Sequence, residues 1–436
     1  MANKMGKILM RSEQSPGTAL KDAQSPDGLD KRVILIHVYE CIWPPNCGVH
    51  MRIWQVINVL QILGLQVHVI SSDGHIPKRV EWPEAARRHL SSIGVQLHLA
   101  PFHAGSIDFW LAATHHTWER RVLRQSYVLP SSRYFFRPQL ERLWGQIIER
   151  ERVDATIVNY AFWSRLTRIS KSRGVWSAIE MIDLLTAHYR AARALNGSVS
   201  SGNGDADSYL EDELRCLAMA DCVLAINPEE GANVRNRLKV PVIDLPFCMD
   251  LPTYSIGEAV TSELLVVGSD NEYNKRGLRQ FIEGAWPAIK AARPGIRLTV
   301  CGRVGEDLEN DPNITRLIRV PDLAPYYQGA KVVLLTAVAG AGIKIKAIEA
   351  FSHSSCILAH QHSVAGTPFC SGVHGETLEN LIGAAPIVLR LLDEPERQAL
   401  YRTNAGALFR KQYESGHGRE ILRKMLAEHL NVGPNR

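Results

Sequence analysis

Short, uninterrupted apolar runs alternate with stretches of helical periodicity along most of this chain, and the alternation starts afresh halfway. "KRVILIH" (Lys31–His37) is a buried-strand pattern, "ECIWPPNCGVH" a loop broken by proline and glycine, and "MRIWQVINVLQILG" a helix ending at Gly64. "LQVHVISSD" is the next strand. Strand, loop, helix and strand make one βαβ unit, the building block of parallel-sheet domains. "VDATIVNY", "WSAIEMID" and "DCVLAIN" read as further strands, the last delivered by the helix "LEDELRCLAMA". After "PFCMDLPTYSIGEAVTS" the pattern restarts. "ELLVVGS", "IRLTVCG", "KVVLLTA" and "CILAH" are strands, "RGLRQFIEGAWPAIKAA" a helix, and two long helices close the chain.

At 436 residues the chain exceeds a single typical core. The expected organisation is a disordered tail over 1–30, one Rossmann-like domain over 31–255 and another over 256–436. A ligand would lie between them, beyond the carboxyl ends of the strands. The tail has no apolar run suited to a secretory signal, and no stretch reaches the length of a membrane span. A net charge of +5, spread along the chain, favours anionic small molecules or a membrane surface and gives no case for a nucleic-acid protein. The 8 cysteines include no CxxC pair, so neither a zinc site nor a disulfide framework is expected. "NGSVSSGNGDAD" (Asn196–Asp207) is the one flexible insertion.

"KVVLLTAVAGAGIKIKAIEAF" carries the sharpest chemistry. An apolar strand turns through Gly340 and Gly342 into an amphipathic helix, so helix-start amides and nearby ammonium groups suit phosphate oxygens. Ile343 lies in the turn; Lys344 and Lys346 face different sides of the first helical turn. Glu349, three residues beyond Lys346, could accept hydrogen bonds from vicinal ribose hydroxyls. The same residues would also serve an ordinary solvated Lys–Glu pair.

Three blocks then carry a resemblance to a known family. "VVGSDNEYNKRGLRQFIEGAWPAIKAARPGIRLTVCGR", "VPDLAPYYQGAKVVLLT" and "GAGIKIKAIEAF" resemble, in order and spacing, the donor half of retaining nucleotide-sugar glycosyltransferases of glycosyltransferase family 4. The likeness is to bacterial surface-polysaccharide sugar transferases. It is thinner in the first half, in "PPNCGVHMRIWQVINVLQILGLQVHVIS" and "ELRCLAMADCVLAINPEE". The resemblance implies α/β GT-B architecture, two Rossmann-like domains facing a cleft. It also implies transfer of a sugar from a uridine or guanosine diphosphate sugar to an acceptor hydroxyl, with no metal or other cofactor. Glu349 matches the second glutamate of the family's paired-glutamate motif, and Ala341 stands where the first would be. Lys346 matches a lysine in a glycine-rich version of that motif and joins Asp183 as a catalytic candidate.

The resemblance places Gly268, Ser269, Asn271, Asn274 and Lys275 against donor phosphate or sugar, Arg303 near the diphosphate, and Val320 and Leu323 near the base. Around the loop of Gly48, the polar residues Asn46, His50 and Arg52 are acceptor or interdomain candidates, with His188 beside Tyr189 and Arg190. Glu180 and Asp183 end a strand; Asp183 would orient or deprotonate an acceptor hydroxyl, or else cap the following helix. His103, His115 and His116 belong to no metal motif. The aromatic and arginine-rich stretch ending at Trp144 fits acceptor-side helices meeting a glycan or lipid head group. Acceptor glycan or lipid-linked glycan, a cytoplasmic location and a peripheral membrane contact follow from family analogy alone. A nucleotide-sugar epimerase and a silent sugar-nucleotide-binding protein are the alternatives.

Overall fold

The computed structural model describes residues 29, 31–45, 47–72, 82–100, 114, 129–131, 135, 137–195, 204–252, 259–340 and 342–430. Two parallel sheets organise them. The first has seven strands in the order β3-β2-β1-β4-β5-β6-β7: β1 (Val33–Val38), β2 (Gln66–Ser72), β3 (Gln96–Ala100), β4 (Ala155–Asn159), β5 (Trp176–Met181), β6 (Cys222–Ala225) and β7 (Val242–Asp244). The second has six in the order β10-β9-β8-β11-β12-β13: β8 (Ser262–Val267), β9 (Leu298–Cys301), β10 (Ile314–Leu317), β11 (Ala330–Leu335), β12 (Ile357–His360) and β13 (Gly375–Leu378). Every named strand pairing is parallel. Strand order reverses at β1/β4 and at β8/β11, the place where doubly wound sheets open a crevice.

The central strands are continuous apolar runs because helices cover both faces: β1 (VILIHV) and β4 (ATIVN) are buried at every position. Helix α1 (Gly48–Ile62) follows the first loop and buries Ile53, Val56, Ile57 and Leu60. The helix expected over "RGLRQFIEGAWPAIKAA" is α2 (Glu272–Gln280) and α3 (Trp286–Ala292), joined by a π-helical turn at Phe281–Ala285. Pro287 explains the turn: it has no amide to donate to the preceding turn, and its ring crowds the carbonyl there. Helix α4 (Ile345–Ser352) starts just past the glycine loop.

Helix α5 (Ser415–Leu430), last in the chain, returns to the first domain. Its His429 stacks on Trp176 with ring centroids 4.8 Å apart, and the preceding Tyr413 accepts a hydrogen bond from the Met249 amide at 2.9 Å. One contiguous apolar cluster includes β1, β2 and β8 together with Phe351 of α4 and Leu426 of α5. The insertion expected over Asn196–Asp207 ends earlier than its composition suggests. Gly204 already begins a helix running to Leu217, and residues 196–203 lie outside the described set.

Candidate active site between the two sheets

The loops that follow β1, β5 and β6 in the first domain meet the loops that follow β11 and β12 in the second. Parallel strands put all of these loops at one end of each sheet.

At the centre is Asp183, just past β5. The backbone of Gly342 lies against its carboxylate: a Cβ on Gly342 would come within 1.7 Å of Asp183 Oδ1. Gly342 also has φ +73, so both space and backbone conformation require glycine there. Burial pushes the Asp183 carboxyl above its usual range, against the opposing pull of His188, Lys344 and a hydrogen bond from Tyr160. Tyr160, directly after β4, holds φ +67, a rare backbone for a non-glycine residue, and this turns its phenol toward the site.

Asp183 does not cap the helix behind it. The amides at that helix start are taken by two other carboxylates, both buried. Glu230 accepts from the Leu184 amide at 2.7 Å. Glu213 accepts from the amides of Leu185 (2.8 Å) and Thr186 (2.9 Å) and from the Thr186 hydroxyl (2.7 Å). The capping alternative for Asp183 therefore falls, and its carboxylate lies instead between Tyr160 and the Gly342 backbone.

Glu230 does more than cap. Its second oxygen accepts the Gly342 amide at 2.9 Å, so one carboxylate joins the first domain to the glycine loop of the second. No sequence reading singled it out. Its helix-start context, "NPEE", points to a cap and gives no sign of a partner 112 residues away. Burial pushes Glu230 upward, while the Leu184 and Gly342 amides and Lys344 act in the opposite sense.

The glycine loop differs from an open phosphate cradle in this respect: the Gly342 amide already has a carboxylate partner. Lys344 folds back to donate to the Gly340 carbonyl at 2.8 Å, and the same oxygen meets His362 Nε2 at 2.6 Å. Burial lowers the Lys344 ammonium, opposed by Glu230 and Asp183. Lys346, on the other side of the turn, pairs with Glu349 at 2.7 Å, leaving the lysine side chain 40% exposed and the glutamate 11%. Ile343 packs at the margin of the shared apolar cluster. Ala341 lies outside the described residues.

Across the second domain, Asn271 caps α2 by accepting the Asn274 amide at 2.8 Å, and Asn274 reaches back to Ser269 at 3.3 Å. Gly268 packs on Val304. Lys275 contacts Asp270 (2.7 Å) and Asp307 (2.6 Å); Arg303 contacts Asp270 (2.9 Å) and Glu306 (3.1 Å). Both cations expected on a diphosphate are thus held by carboxylates of the two loops that follow β8 and β9. Val320 and Leu323 sit half-buried beside the shared core.

In the first domain the structure corrects one expectation outright. Arg52 is 1% exposed and cannot meet an acceptor. Its Nε donates to Glu180 at 2.5 Å, and its other nitrogens donate to Gln55 and to the carbonyls of Leu245 and Pro246. Arg52 and Glu180 form a buried pair that ties α1 and β5 to the interdomain segment. His50 meets Glu40 at 2.7 Å and lies near Cys47. Gly48 is a contact between domains, since a Cβ there would meet Ile345 Cδ1 at 2.7 Å. His188 is exposed and acts on Asp183 by charge, Tyr189 is buried on Tyr209, and Arg190 pairs with Asp207 on the surface. Asn46, His103, His115 and His116 lie outside the described residues, as does most of the arginine- and aromatic-rich stretch before Trp144. Among the described residues, no helix is long and apolar enough to cross a membrane.

Comparison with known proteins agrees with this layout. Residues 261–393 match the family described as glycosyl transferases group 1. No curated protein matches the chain. Among solved structures, sucrose-phosphate synthase from Thermosynechococcus elongatus is similar with a TM-score of 0.62 at 14% identity, covering 92% of this chain and 100% of that one. HepE of Anabaena, in complex with UDP-glucose, gives 0.63 at 11% identity, with 91% and 99% covered. A glycosyltransferase from Rickettsia africae gives 0.63 at 12% identity, with 92% and 99% covered. Residues 261–393 therefore match a group 1 glycosyltransferase domain, and the two sheets have the GT-B fold of these solved structures.

Proposed function

We propose that the protein moves a sugar from a nucleotide diphosphate sugar, carrying uridine or guanosine, to an acceptor hydroxyl with retention of anomeric configuration. The observation that carries this reading is the approach of the Gly342 backbone to the Asp183 carboxylate. It sets the expected donor loop of one domain directly against an acid of the other. The donor would occupy the second domain, with its ribose on Glu349 and its diphosphate near Lys346 and the start of α4. Ammonium groups and helix-start amides there would stabilise charge developing on the leaving diphosphate, the main electrostatic demand of breaking the glycosidic bond. The leaving phosphate would itself receive the acceptor proton on the donor's front face, so no side-chain nucleophile is required. Asp183 would orient the acceptor hydroxyl or relay its proton to that phosphate; a carboxylate with a raised pKa is the stronger base once ionised.

For the phosphate to reach the glycine loop, Glu230 has to share or release the Gly342 amide. Donor binding is therefore coupled to the contact between domains. The match of residues 261–393 to a transferase family weighs against the epimerase and silent-binder alternatives. A glycan or lipid-linked glycan acceptor, assembled at the cytoplasmic face of a membrane, completes the reading by analogy.

Calorimetric titration with a panel of nucleotide sugars, UDP-glucose first, tests it. Saturable binding weakened by Lys346→Ala and Glu349→Ala supports the placement. Binding indifferent to both removes it, and an inverted linkage in the product removes the retaining mechanism.

A further inference from the structure

Cys47 is the residue immediately before α1, where its thiol sits at the positive end of a 15-residue helix without capping that end through its side chain. His50, one turn on, carries a side chain only 6% exposed. Its Nε2 meets Glu40 Oε1 at 2.7 Å, while its other ring nitrogen, Nδ1, is buried with no hydrogen-bond partner. Cys47, His50 and Glu40 present a sulfur, a ring nitrogen and a carboxylate oxygen all within 4.8 Å of one another. A thiol, a base and a carboxylate orienting the base are the parts of an activated sulfur nucleophile.

We propose that Cys47 is a reactive thiolate and a modification site for hydroperoxides, activated by His50 and Glu40. The thiolate sulfur attacks the terminal peroxide oxygen. A sulfur–oxygen bond forms, the oxygen–oxygen bond breaks, and the departing alkoxide takes a proton from the His50 imidazolium. Sulfur is oxidised to sulfenic acid, the hydroperoxide is reduced to an alcohol, and Glu40 continues to hold the now neutral ring.

Electrostatics point the same way. Burial alone would raise the Cys47 thiol, but the neighbouring His50 outweighs it and brings the thiol below its usual range. Burial would lower His50, yet Cys47 and Glu40 together lift it to about 9. Six of the seven other cysteines sit differently: Cys41 is half-buried, and Cys216, Cys222, Cys248, Cys301 and Cys356 are buried, with burial raising each of these thiols. The seventh, Cys370, is exposed and supplies an internal reference. An oxygen added at Cys47 would sit beside Gly48, which has no spare room against Ile345 of the second domain.

The full-length protein, treated with limiting iodoacetamide at neutral pH and mapped by peptide mass spectrometry, tests the proposal. Cys47 should be alkylated about 10-fold faster than exposed Cys370, and His50→Gln should erase that advantage. Glu40→Gln should reduce it, which keeps the test available if the His50 variant does not fold. Hydrogen peroxide should add one oxygen at Cys47, trapped by dimedone. Slower alkylation than Cys370, or rates indifferent to both substitutions, overturns the proposal. Co-purifying zinc at one per chain, with labelling only after chelation, also overturns it and makes the three residues a metal site.

Discussion

Gly342 and Asp183 come from different domains, and their separation leaves no room for a single methyl group between them. The contact holds the glycine loop and the end of β5 in register.

Gly342→Ala should therefore fail on two counts. The added Cβ meets Asp183 Oδ1, and the left-handed backbone at φ +73 disfavours alanine by about 1–2 kcal/mol on its own. Turnover should drop sharply and thermal unfolding should shift downward. Unchanged turnover and stability would show that the loop relaxes freely.

Glu230→Gln keeps the shape but leaves one acceptor oxygen for two amides, those of Leu184 and Gly342. Hydrogen bonds to a charged group are worth about 1.5–3 kcal/mol, so a loss of that order is expected. Hydrogen exchange should quicken at Gly342 and Leu184 ahead of the sheet cores. Uniform exchange across the chain would argue against a link between domains.

Asp183→Asn separates chemistry from binding. Helix capping belongs to Glu213 and Glu230, so the fold should tolerate asparagine. Turnover should decrease by about 10²–10⁴, the usual range for a lost acid–base group, with nucleotide-sugar affinity little changed. A decrease confined to affinity would assign Asp183 to donor binding.

Glu349→Gln should weaken nucleotide-sugar affinity by about 10- to 150-fold, since a charge-assisted hydrogen bond to ribose is worth about 1.5–3 kcal/mol. A nucleotide lacking both ribose hydroxyls should show no such difference between wild type and variant. Equal losses with both ligands would assign the effect to Lys346, the ion-pair partner 2.7 Å away.

Glu213 makes stability depend on pH. Burial lifts its carboxyl from the usual 4.5 to about 7, against three hydrogen bonds that favour the ionised form. The folded state then binds the proton more tightly than the unfolded state. Its contribution is present in full below about 4.5 and is lost as pH rises through about 7. The loss is on the order of 3 kcal/mol. Urea midpoints at pH 5 and pH 7.5 should show the decline, and Glu213→Gln should flatten it. A midpoint that rises over that interval equally in both proteins would contradict the assignment.

What was legible in the sequence follows from how each element is buried. The strands covered on both faces, β1, β2, β4, β5 and β6 in one sheet and β8, β9, β11 and β12 in the other, are apolar runs that identify themselves. The four strands absent from that reading, β3, β7, β10 and β13, are the four sheet edges. "QLHLA", "VID", "ITRL" and "GETL" are short or partly polar, because an edge strand is paired on one side only and meets solvent. Glycine spacing and the Lys346–Glu349 interval likewise marked the second-domain loop, since local backbone chemistry is written in local sequence. Partners distant in the chain were not. Arg52 looked like a polar residue available to substrate until folding brought Glu180 and two carbonyls around it. Asp183 could have been a cap until Glu213 and Glu230 arrived from elsewhere. One domain's sequence specifies its own turns and strands, but the charge and hydrogen bonds at each site residue depend on what the other elements place beside it, and only the tertiary structure decides that.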